Sequence, residues 1–84
     1  MKIVLLPHAK ARMSERNIPE KVIIDMVLDP DKLERDKTNS RRYVAKKLYI
    51  FLNKPYLLLV IYEKEVNNII IITVISTSKV KKYL

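Results

Sequence analysis

The chain of 84 residues has no cysteine, no glycine and no tryptophan, and only one histidine and one phenylalanine. Without cysteine there is no disulfide framework, no thiolate nucleophile and no thiolate-ligated metal. A lone histidine argues against a zinc centre as well. Without glycine the P-loop and the dinucleotide-binding fingerprint are excluded, because both need glycine where the backbone approaches phosphate. No metal or other cofactor is therefore expected. Long apolar runs are also missing: each is broken within about ten residues, too few for a membrane-spanning helix. Residues 2–6 are too short for the apolar core of a secretion signal and run directly into Pro7. These features read as a cytoplasmic protein with no membrane partner.

Acidic residues are in the minority. Seventeen Lys and Arg stand against nine Asp and Glu, a formal charge of +8. That balance favours an anionic partner, above all RNA or DNA, and less often a membrane surface or an acidic protein. A charge-rich surface of a heat-adapted prokaryotic protein is the plain alternative.

The order of elements reads as one α+β domain over residues 1–84. Residues 3–6 form a short apolar strand bounded by Pro7. Residues 8–16 follow as a helix with Ala9 and Met13 on its apolar stripe, and Asn17 suits a left-handed stop. Pro19 opens a second helix, where Ile18, Val22, Ile23, Met26 and Val27 make an amphipathic face that ends at Asp29-Pro30-Asp31. From residue 41 the period changes to two. Residues 42–51, 56–62 and 69–75 read as antiparallel strands, with 33–36 as a further short one. A helical hairpin packed on one face of a twisted antiparallel sheet is the expected architecture. The runs 57–61 and 69–72 do not alternate, as in strands covered on both faces. The sheet face away from the helices is then a candidate contact for a second copy or an inhibitor protein, unless the basic tail covers it.

The candidate chemistry lies in P-H-A-K-A-R-M-S-E-R-N-I-P-E. His8, Arg12 and Arg16 recur at steps of four, so a helix places them on one side, with His8 near its N-terminus. That end favours a phosphate. RNA hydrolysis without a metal needs a base for the ribose 2′-hydroxyl, an acid for the leaving 5′-oxygen, and fixed positive charge on the phosphate. His8 can serve as base or acid. Arg12 and Arg16 can grip phosphate through two nitrogens at once. The competing reading is a surface or capping histidine beside a solvated helix face, with the arginines paired to Glu15 or Glu20. Arg41, Arg42, Lys46 and Lys47 lie in or before the long strand, one of each pair on each face. Arg42 and Lys46 are taken as the members that join the phosphate site, and edge-strand charge is the alternative. Thr73 interrupts the run I-I-I-I-T-V-I, where its hydroxyl can bond a phosphate or orient His8, or simply satisfy a backbone carbonyl. Ser76 is a weaker candidate of the same kind. Lys10, Lys79, Lys81 and Lys82 complete the expected RNA-binding set.

The opening His8-Ala9, Arg12-Met13, Glu15-Arg16 and Ile18, together with Thr73 in a late apolar strand, resembles a family of small prokaryotic domains of unknown function. That family looks like a branch of the RelE-type toxin fold, within the barnase, EndoU, colicin and RelE group of ribonucleases. The resemblance implies an RNA-cleaving toxin neutralised by a cognate antitoxin protein, with His8, Arg12, Arg16 and Thr73 at its site. A metal-independent endoribonuclease is thus the expected function, with Arg42 clamping phosphate and Lys46 assisting. A non-catalytic nucleic-acid-binding module and a protein-interaction domain that uses the apolar sheet face are the alternatives.

Overall fold

Pro7 has no amide hydrogen for a ladder but suits the first turn of a helix, so strand gives way to helix there. A computed structural model of the chain describes residues 2–83, the side chain of Phe51 excepted. Its elements are β1 (Lys2–Leu5), α1 (Pro7–Arg16), α2 (Glu20–Leu28), β2 (Lys32–Arg35), β3 (Arg42–Phe51), β4 (Lys54–Lys64), β5 (Asn68–Thr77) and α3 (Val80–Tyr83). Leu84, the last residue of the basic tail, lies outside the described residues.

The two helices end and begin where local chemistry asks. Asn17 closes α1 in the left-handed conformation, φ 54° and ψ 44°, and its N–H returns to the carbonyls of Met13 and Ser14. Pro19 stands immediately before α2, in extended backbone, and Glu20 sits in the positive first turn. The β3–β4 hairpin turns on Leu52 and Asn53, both at positive φ. In a chain without glycine, a leucine takes a left-handed position there at a cost of about 1 kcal/mol.

The sheet is mixed, in the order β1-β5-β4-β3-β2. β2, β3, β4 and β5 form the antiparallel meander, whereas β1 pairs in parallel with β5, from Lys2↔Asn68 to Leu5↔Ile71. A register shift between Ile61 and Tyr62 leaves Ile72 as an extra residue in β5. Because β1 stops opposite Ile71, residues 72–77 of β5 have no strand on that side among the described residues.

One sheet face carries the helices. Ala9, Met13, Ile23 and Met26 pack there against Ala45, Leu58, Val60, Tyr62, Ile71 and Val74, with Tyr43 and Tyr49 at the margin. Burial pushes the Tyr49 and Tyr62 phenols up from their ordinary range, reinforced by Asp25 and Asp31 near Tyr49 and by Tyr43 beside Tyr62. The opposite face holds Leu57 and Leu59, which are buried although they lie outside the helix-side cluster. α3 packs across β4 on this side, so the chain's own tail covers the middle of the face. Leu48, Ile50 and Ile75 stay exposed at its margin. Among the described residues no helix is long and apolar enough to cross a membrane.

Candidate functional site

His8 is the second residue of α1, where helix geometry leaves its N–H and that of Ala9 without an intrahelical acceptor. The steps of four then carry Arg12 and Arg16 along the same side. Ala9 and Met13 turn inward and are buried, so the three polar side chains are held at the border between helix and sheet. Facing them is the stretch of β5 that β1 leaves uncovered. His8, Arg12, Arg16, Thr73, Val74, Ile75 and Ser76 line an open cleft of about 390 Å³. Four consecutive strand residues line it because the cleft abuts the edge of β5 rather than one of its faces. An open strand edge presents backbone N–H and C=O groups as well as side chains.

The cations of the cleft differ in their pairing. Arg12 Nη1 donates to Glu15 Oε2 at 3.3 Å, with both side chains about half exposed, a pair worth little in water. The arginine–glutamate pairing weighed from the sequence is therefore present for Arg12. His8 and Arg16 have no side-chain hydrogen bond or ion pair with any described residue. Lys10 is exposed on α1. Apart from Glu15 the cleft has no carboxylate neighbour on its own elements, since no Asp or Glu occurs from residue 66 onward.

Arg42 and Lys46 stand elsewhere, contrary to the expectation that they join His8. Tyr43, Ala45 and Tyr49 point toward the helices, so strand alternation sends Arg42 and Lys46 to the opposite face. Arg42 lies directly across from Glu63 and donates to its Oε1 at 3.0 Å, while its Nε is buried without a partner among the described residues. Lys46 is nearly buried. Its ammonium donates to Glu34 Oε1 at 2.9 Å and to the Tyr83 carbonyl at 2.6 Å, tying α3 to the sheet. The ammonium groups of Lys46 and Lys32 hold the Glu34 carboxyl below its ordinary range. Lys47 lies on the helix side but donates to the Asp29 carbonyl at the end of α2, at 3.1 Å. Arg41 is exposed in the loop before β3. Lys79, Lys81 and Lys82 lie in the tail, on or beside α3.

Ser76, ranked below Thr73 from the sequence, shares the cleft with it. The signal for both is the stretch of β5 beyond its last pairing with β1, which no local pattern announces. Among the described residues no group of three or more His, Cys, Asp or Glu is placed to hold a metal ion. What remains is one imidazole, two guanidiniums, two hydroxyls, a helix N-terminus and a strand edge. Such a set can bind a phosphodiester and move one proton at a time.

Residues 5–76 match the model of the family described as domain of unknown function DUF4258, and the chain belongs to that family. The matched segment includes every residue lining the cleft and ends before α3. No curated protein and no solved structure matches the chain.

Proposed function

We propose that this DUF4258 chain is a metal-independent endoribonuclease whose active centre is the cleft between α1 and the edge of β5. The observation that supports it is the convergence of His8, Arg12 and Arg16 on one cleft with Thr73 and Ser76. The imidazole takes the proton of a ribose 2′-hydroxyl, and the freed oxygen attacks the adjacent phosphorus. The bond from phosphorus to the 5′-oxygen breaks, and the leaving oxygen takes up a proton from the imidazolium. The products are a 2′,3′-cyclic phosphate and a 5′-hydroxyl. Arg16, which has no ion-pair partner among the described residues, grips a non-bridging oxygen, and Arg12 does so in exchange for Glu15. The hydroxyls of Thr73 and Ser76 and the open edge of β5 supply further hydrogen bonds.

The likeness drawn from the sequence between the small-domain family of the opening motif and RelE-type toxins adds the proposal that cleavage serves a toxin, with an antitoxin protein as its partner. Arg42 and Lys46 have no part in this mechanism, because carboxylates already engage them on the other face. A second reading keeps the same cleft and removes the chemistry. One titratable side chain beside two guanidiniums suffices for a module that only binds nucleic-acid phosphate, with affinity falling as salt rises. Purified protein against total RNA in EDTA, beside His8→Ala, separates the two. Cleavage by the unaltered chain alone, leaving cyclic phosphate ends, supports the ribonuclease. Cleavage that survives His8→Ala overturns the role of His8. Salt-sensitive binding without cleavage by either protein favours the binding module.

A further inference from the structure

We infer that the cleft continues into a second subsite, which takes the unpaired nucleotide next to the scissile phosphate. This rests on the RNA reading of the cleft. Pro55, Ser78, Lys79, Val80, Lys81 and Lys82 line a second open concavity, of about 620 Å³. Ser76 lines the cleft and Ser78 lines the concavity, so only Thr77 separates the two along the chain. A polynucleotide leaving the cleft past the C-terminal end of β5 meets the concavity directly.

The chemistry of the concavity fits a base flanked by phosphates. Pro55 and Val80 offer apolar surface to a base. Lys79, Lys81 and Lys82 surround it without a carboxylate partner among the described residues. Lys82, one of the lining residues, places its Nζ 5.5 Å from the centroid of the neighbouring Tyr83 ring. No acidic side chain from residue 66 onward opposes phosphate along this path. The tail is held for the purpose at both ends. Thr77 Oγ1 accepts the Lys79 N–H at 3.0 Å, and Lys46 holds the Tyr83 carbonyl at the far end. Surfaces fixed before binding lose less entropy on binding.

The geometry selects an unpaired strand. The cleft opens at the edge of β5, and the tail carrying the concavity packs on the sheet face away from the helices. An occupant of both sites must bend around the end of β5 with a base turned outward, which a stacked duplex resists.

The test is fluorescence anisotropy with labelled 2′-fluoro oligonucleotides, which carry no 2′-hydroxyl to attack. A trinucleotide, a single strand of about nine nucleotides and the matching duplex are each bound to the unaltered chain and to the Lys79→Ala, Lys81→Ala, Lys82→Ala triple variant. The longer strand binds the unaltered chain about tenfold more tightly than the trinucleotide. The triple variant loses that advantage and keeps the trinucleotide affinity. Its salt dependence for the longer strand is shallower by about 0.7 for each phosphate that the lysines no longer neutralise. Undiminished binding of the longer strand by the triple variant overturns the second subsite alone. Duplex binding as tight as that of the single strand overturns its preference for unpaired RNA. If the unaltered chain binds none of the three, the RNA reading of the cleft falls together with the subsite.

Discussion

On the flank of the sheet built from β2, β3 and α2, Lys46 donates to Glu34, Lys47 to the end of α2, and Arg42 across the ladder to Glu63. On the flank built from α1, β5 and the tail, Arg16, Lys79, Lys81 and Lys82 have no carboxylate partner among the described residues, and Arg12 has only the exposed Glu15. The acids account for the contrast. Six of the nine fall between Glu20 and Asp36, two are Glu63 and Glu65, and Glu15 is the ninth. A cation held by a carboxylate and a carbonyl fastens one element to another. A cluster of cations without such partners repels itself, raises the local potential and draws in anions. The same residue types thus work as fasteners on one flank and, in the function proposed above, as a phosphate surface on the other. Pairing, rather than charge alone, distinguishes Arg42, Lys46 and Lys47 from Arg16 and the tail lysines.

The comparison breaks most visibly at the two arginines of α1. The Arg12→Ala, Arg16→Ala double variant loses cleavage by about a thousandfold, following the cost of removing oxyanion-type donors. Its thermal midpoint stays within the scatter of the unaltered chain. Steady-state assays and differential scanning fluorimetry on one preparation check both halves. Arg42→Met gives the reverse pattern. It leaves Glu63 without its cation and costs about 1–2 kcal/mol in urea unfolding, with cleavage unchanged.

How far these roles were legible in the sequence follows from where the signal was local. Pro7, Asn17 and Pro19 mark the helix ends by their own backbone preferences, and the structure follows them to within a residue or two. The steps of four in α1 were enough to bring His8, Arg12 and Arg16 together. The parallel pairing of β1 with β5 joins distant stretches and leaves no local trace, so the uncovered edge that completes the cleft could not be read. Arg42 was misplaced for a different reason. Tyr43, Ala45 and Tyr49 already form the apolar set that belongs under the helices, and that set sends Arg42 to the far face. Val44, Leu48 and Ile50 form an equally apolar alternate set, and only the packing of α2 decides between the two.

Two smaller effects sharpen the contrast between the flanks. Lys46 and Lys32 hold the Glu34 carboxyl below its ordinary range. A depressed folded-state value contributes stability above the unfolded value, near 4.3 for glutamate, and that contribution disappears as pH falls through the lowered one. The unaltered chain therefore melts above Glu34→Gln at neutral pH, and the gap closes as pH drops below about 4. Melting curves across that range check the sign. Smallest is Glu15→Gln. Freeing Arg12 from its exposed partner raises the affinity for a single-stranded oligonucleotide by about twofold at low salt, with stability unchanged. Anisotropy titrations detect a change of that size.

The most direct measurement is a titration of isotopically labelled protein with a 2′-fluoro trinucleotide, followed by amide chemical shifts. Phosphate binding at the flank of unpartnered cations predicts shifts concentrated between His8 and Arg16 and between Thr73 and Ser76, with α2, β2 and β3 silent. Shifts centred on Lys46, Lys47 and Arg42 instead, or spread evenly over the basic surface, would contradict it.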